Sequence, residues 1–145
     1  MLTSIELTVK LRENGYKVTP QRLAIYDVLE KDDEHPSAEI IYKKLRPKYP
    51  SMSFATVYKT VEILNKINVI QILNTGEDSN RYDANVSKHF HIQCTECGKV
   101  ENIEATEIPG AKESIVKDTG YSLSGEQVYF YGTCPCCQKK CVIKK

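Results

Sequence analysis

The chain has 145 residues, 41% hydrophobic and 27% charged, a composition that excludes fibrous, collagenous and low-complexity classes. Its formal net charge is only +1, and residues 1–84 carry 12 basic against 12 acidic side chains, so any affinity for nucleic acid must come from local clustering. No apolar run reaches the 18 residues of a membrane span, and residues 1–20 carry Glu6, Lys10, Arg12, Glu13 and Lys17 without an apolar core, so the expectation is a cytoplasmic chain without a secretory signal.

Residues 2–14 bring Leu2, Ile5, Leu7, Val9 and Leu11 among polar residues and predict a first helix, with Gly15 as its stop. Thr19-Pro20 predicts the start of a second, because threonine caps and proline suits the first helical position. Ile25, Val28 and Leu29 then share one face through about Lys31. After the polar turn Lys31–Pro36, Ser37 can cap a third helix with Ile40, Ile41, Tyr42 and Leu45 as its apolar stripe, ended by Pro47 and Pro50. Ser53 can cap a fourth helix from Phe54 to about Ile67, with Val57, Val61 and Leu64 inward and Thr56, Tyr58, Lys59 and Glu62 outward. Val69–Leu73, a turn at Gly76–Asn80 and Arg81–Asp83 read as strand, turn and strand. Helices followed by a hairpin suggest a winged helix-turn-helix, with Ser37–Tyr49 and Phe54–Ile67 as the paired helices.

Ala84–Lys88 is short and polar and reads as a hinge. Strands follow at about His89–Gln93 and Val100–Ile103, a helix between Glu107 and Asp118 delayed by Pro109-Gly110 and ended by Gly120, a strand at Gln127–Thr133, and a short basic tail. The expected organisation is α+β: a winged-helix domain over 1–83, a hinge over 84–88, and a small α/β domain over 89–145.

All six cysteines lie after residue 93, and four form the pairs Cys94-x-x-Cys97 and Cys134-x-x-Cys137. Four thiolates satisfy tetrahedral zinc and leave no open position, the signature of a structural Zn(II) site. Two disulfides or unrelated buried thiols are the competing readings; Cys136 is an alternative partner in the second pair, and Cys141 is left over. His89 and His91 alternate, so on a strand both rings face one way and can reach one ion, or else they are simply a solvated face. Asp83 and His35 add oxygen and nitrogen donors, a mixed set suited to iron, manganese or zinc. Asn102 offers a weak amide oxygen. On the fourth helix, Ser53, Thr56, Tyr58 and Lys59 are candidates for contacts to double-stranded DNA, with Gln21 and Arg22 touching phosphate from a helix start. A merely solvated helix face is the bland alternative.

These residues together resemble the ferric uptake regulator (Fur) family of metal-dependent repressors. The resemblance rests on Thr19-Pro20-Gln21-Arg22, His35-Pro36-Ser37-Ala38, Ala55-Thr56-Val57-Tyr58-Lys59, His89-Phe90-His91 and the cysteine pairs, and covers nearly the whole chain. Arg81-Tyr82-Asp83 makes it most similar to the peroxide-responsive repressor (PerR) branch. The resemblance implies a homodimer built on the C-terminal domain, Zn(II) on Cys94, Cys97, Cys134 and Cys137, and regulatory Fe(II) or Mn(II) on His35, Asp83, His89, His91 and a fifth carboxylate. That fifth position is Asn102, a weaker neutral ligand; Glu101 should face the other way, and Glu104 can compensate only if the strand runs that far. A second sensory site flanking the two histidines falls on Lys88 and Phe90, so it should be absent.

The expected function is a metal-dependent repressor of an inverted-repeat operator, switched off by peroxide oxidising His35 or His89, with an iron- or zinc-responsive repressor as the alternative. A metalloenzyme is the rival class, but no general base stands out, and the chain is expected not to be an enzyme. A thiol switch on Cys136 and Cys141 is a third reading.

Overall fold

Thr3, Thr19, Ser37 and Ser53 each begin a helix in the computed structural model, which describes residues 1–74 and 80–143, with side chains through residue 139. The turn expected at Gly76–Asn80 lies, up to Ser79, outside the described residues, as does the side chain of Cys141. In α1 (Ser4–Glu13) the cap is reciprocal: Thr3 Oγ1 accepts from the Glu6 N–H, and the Glu6 carboxylate accepts from the Thr3 N–H. α2 (Pro20–Lys31) has Thr19 as cap and Pro20 in its first turn, α3 (Ala38–Leu45) has Ser37, and α4 (Phe54–Lys66) has Ser53.

α1 and α4 end alike. A residue in the left-handed region, Gly15 (φ 78) or Asn68 (φ 57), lets the next amide turn back onto the helix. Tyr16 N–H reaches the Leu11 carbonyl at 2.9 Å, and Val69 N–H reaches the Leu64 carbonyl at 2.9 Å. The second closure uses the amides of Val69 and Ile70. It delays the strand expected from Val69, and β1 is Gln71–Leu73. It pairs antiparallel with β2 (Arg81–Asp83), Ile72 opposite Tyr82, to form the wing.

Leu7, Leu11, Ile25, Ile41, Val57, Val61 and Leu64 form the heart of this half's core. α1 buries Leu7 and Leu11, one turn apart, while Ile5 (77%) and Val9 (48%) stand in solvent. The stripe expected on α3 needs correcting. On α3, Ile40 is exposed and Ala38 takes the buried place, because the face is set by packing on α2 and α4. Leu64 has no exposed surface. Leu64→Ala should therefore lower unfolding free energy by roughly 2–5 kcal/mol, read as a shift in the urea midpoint of this half.

The chain divides into two compact units, Met1–Ser87 and Lys88–Lys145. In the second, β3 (Phe90–Cys94) is central, antiparallel to β4 (Val100–Ile103) and parallel to β5 (Tyr129–Gly132). The parallel pairing needs a crossover, which α5 (Ala111–Thr119) supplies between left-handed Gly110 and Gly120. The expected basic tail is instead helix α6 (Pro135–Ile143). Cys136-Cys137-Gln138-Lys139 has no apolar period to mark a helix. Among the described residues no helix is long and apolar enough to cross a membrane.

Candidate metal centres

The two cysteine pairs arrive from different elements. Cys94 ends β3, and the tight turn at Gly98 (φ 75) returns Cys97 toward it. Gly98 N–H donates to the Cys94 carbonyl, and Cys94 N–H to that of Lys99, each at 2.9 Å. Cys134 leads into α6, and Cys137 sits in its first turn. The four sulfurs lie within 4.8 Å of one another. Cys97 Sγ and Cys134 Sγ are 3.9 Å apart, against about 3.8 Å for two sulfurs on tetrahedral zinc at ~2.3 Å. The same distance is nearly twice a disulfide bond, and none of the five cysteines with described side chains is bridged. Cys136 lies outside this cluster and is exposed.

Charge in this cluster is uneven. Donation from the Cys134 backbone N–H, then from that of Cys97, lowers the Cys94 thiol to about 6. Cys137 is pushed up to about 12 by its hydrogen bond to Cys134, with burial and the other thiols adding to it. Four converging thiols resist ionising together, and a divalent cation is the group that lets them.

Imidazole and carboxylate donors occur in each unit. In the first, His35 Nδ1 lies 3.7 Å from Asp83 Oδ1, both side chains buried. Asp83 Oδ1 also accepts from the Asn85 N–H at 2.8 Å, which fixes the carboxylate. His35 is at φ 54, left-handed and immediately before a proline, a combination costing of order 1–3 kcal/mol. In the second unit, the His89 and His91 rings are 4.5 Å apart. His91 is buried and stacks on Tyr129, with centroids 5.8 Å apart and planes at 25°. Tyr129 was missed by sequence reasoning, because only the parallel register of β3 with β5 sets it opposite His91.

The expected DNA-contacting residues collect in the first unit. Gln21, Arg22, Thr56 and Lys59 line a cleft of about 530 Å³. Arg22 is anchored, its Nη1 donating to the Lys17 carbonyl at 2.6 Å. Ser53 Oγ is occupied by the cap, accepting from Thr56 N–H at 3.1 Å and bonding the Thr56 hydroxyl at 2.9 Å. Tyr58 lies outside the cleft lining, exposed and edge-on to Phe54 at 4.9 Å.

The ferric uptake regulator family model matches residues 13–131. The chain belongs to this family. It is 35% identical over 130 residues to the peroxide operon regulator of Bacillus subtilis, covering 90% of each chain. Its fold is similar to that of the Helicobacter pylori ferric uptake regulator (TM-score 0.77, 30% identity, 91% of this chain and 89% of that one). It is similar also to the Campylobacter jejuni peroxide stress regulator (TM-score 0.70, 30% identity, 91% and 99%).

Within this family member, Asn102 pairs directly across from His91, so the two side chains share a sheet face. Glu101 pairs with Ile92 and faces the other way. β4 ends at Ile103, so Glu104 lies beyond the strand. Of the positions flanking the histidines, Lys88 is ion-paired with Glu126, and Phe90 is buried beside Phe130 at 6.2 Å. Neither offers a metal donor.

Proposed function

We propose that this chain is a metal-dependent, DNA-binding transcriptional repressor that works as a homodimer and senses peroxide. One observation carries the reading: metal donors occur in both units, buried His35 with buried Asp83 in the helical unit and half-buried His89 with buried His91 in the other. Relatives named as peroxide regulators support the branch. The Helicobacter pylori protein is described as having three functional metal-binding sites.

Zn(II) is structural and held by Cys94, Cys97, Cys134 and Cys137. A regulatory Fe(II) or Mn(II) is held by His35, Asp83, His89 and His91, with Asn102 as a weak fifth donor. Fe(II) there would supply the chemistry by which peroxide adds oxygen to a neighbouring imidazole. His35 and His89 are the rings that take the oxygen. An oxidised ring is a poorer donor, so the donor set comes apart and α4 is no longer held for DNA. Gln21 and Arg22 contact phosphate, while Thr56, Tyr58 and Lys59 reach the major groove.

Dimerisation rests on the second unit. α5 buries none of its residues, and Ile115, Val116, Tyr121, Phe130 and Tyr131 are exposed apolar side chains of the kind an interface covers. A twofold dimer places two α4 helices for an inverted repeat.

The deciding experiment is binding to inverted-repeat duplex DNA with and without Mn(II), followed by peroxide treatment of the Fe(II) form and peptide mass spectrometry. Equal binding in both metal states defeats the repressor reading. The absence of an added oxygen on the His35 and His89 peptides defeats peroxide sensing and leaves an iron- or zinc-responsive repressor of metal uptake, which the amide at Asn102 favours. Asn102 also yields a graded prediction. Asn102→Asp adds a negative oxygen on the His91 face, so Mn(II) affinity by calorimetry should rise about tenfold.

A further inference from the structure

The loop before α3 is tied to the wing. Arg81 Nη1 donates to the His35 carbonyl at 3.4 Å. Tyr82 N–H donates to the next carbonyl, that of Pro36, at 3.2 Å. Ser37 and Arg81 form an antiparallel bridge. Residues 35–37 thus run along one edge of β2, whose other edge is taken by β1. One end of this ladder carries the His35 and Asp83 side chains, 3.7 Å apart. At the other end Ser37 caps α3, and α3 packs on α4 through the edge-on rings of Tyr42 and Phe54, 5.7 Å apart.

We propose that Arg81 is a positioning residue that latches the strained His35 backbone to the wing, so that metal held by His35 and Asp83 is felt by α3 and α4 inside the first unit. The inference rests on the repressor reading above. It adds a route that does not depend on the hinge. Arg81 cannot be a metal donor, since a guanidinium has no free lone pair. Its role is mechanical. His35 is in a left-handed conformation, and the bond to its carbonyl lies one residue from the α3 cap chain Pro36-Ser37. With the latch made, fixing His35 against Asp83 fixes the start of α3. Without it, His35 can still bind metal while the cap segment lifts from β2, and ligation no longer sets α3 against α4.

The test uses the full chain, Mn(II), and a duplex selected from random sequence by the Mn(II)-loaded wild type. Mn(II) affinity and the Mn(II)-dependent gain in DNA affinity are measured for wild type, Arg81→Met and Arg81→Lys. Hydrogen exchange at the Tyr82 amide is followed in each. Arg81→Met should keep Mn(II) affinity within about twofold, lose about tenfold of the DNA gain, and lose the Mn(II) protection of Tyr82 N–H. Arg81→Lys keeps a cationic donor and should recover most of the gain. A phosphate contact from Arg81 would instead weaken DNA binding equally with and without Mn(II). An unchanged gain with unchanged Tyr82 protection overturns the latch and leaves the repressor reading intact. No gain in the wild type overturns both. Should Arg81→Met fail to fold, Arg81→Gln carries the same readouts.

Discussion

Cys94→Ser is expected to strip the protein of zinc and to unfold the second unit while the first stays folded. The reason is the thinness of that unit's core. Its buried apolar side chains among the described residues are Phe90, Cys94, Val100 and Cys137, two of them members of the four-cysteine cluster, and α5 buries none. A unit of this size is marginal without a staple. Structural zinc contributes roughly 10–16 kcal/mol in small zinc domains at neutral pH, against about 5–15 kcal/mol for the net stability of a typical domain. Cys94 is the most consequential ligand to remove, because it also ends the central strand and its sulfur accepts the Cys134 N–H at 3.3 Å. Metal analysis should fall from about one ion per four thiolates to near none, and the dimer should be lost on gel filtration. Cys136→Ser is the control: its thiol lies outside the cluster, so zinc and dimer should persist. Zinc retained in Cys94→Ser, or lost in Cys136→Ser, would mean that the four sulfurs do not form the site.

The paired substitution His89→Ala with His91→Ala should abolish the response of DNA binding to Mn(II) and leave the affinity of the metal-free wild type. Couplings between an effector and a second ligand are typically about 1–3 kcal/mol, so roughly 5- to 150-fold in DNA affinity is at stake. Both rings belong to one face, and His91 is buried, so removing them deletes two of the five proposed donors without touching α4. His91 also stacks on Tyr129, so the variant should melt lower. Anisotropy at a temperature below both transitions separates lost sensing from lost folding. Asp83→Asn, in the other unit, should mimic the result, since it weakens the donor beside His35. A variant that still gains affinity with Mn(II) would place the sensing ion elsewhere.

Features with short-range causes were readable in advance. Thr19, Ser37 and Ser53 satisfy amides three residues on, and each helix begins where its cap predicts. Asn68 shows the limit of that reading. Its left-handed turn shifts β1 by two residues, and no apolar alternation in Val69–Leu73 announces it. α6 was hidden because a helix whose first turn is devoted to thiol geometry needs no apolar stripe.

By itself the sequence determined the donor types and their local pairing. Cys-x-x-Cys spacing brings two sulfurs together within one turn, and His-x-His puts two rings on one face, because both follow from backbone periods of a few residues. Tertiary structure decided which local pairs meet. The pair Cys134 and Cys137 meets the pair Cys94 and Cys97 because the α6 start follows a parallel strand, β5, that the α5 crossover brings beside β3. His35 meets Asp83, and Arg81 meets the His35 carbonyl 46 residues away, because the segment before α3 pairs with the wing. Such pairings depend on where distant segments cross in space, and a period of two or 3.6 residues carries no record of that.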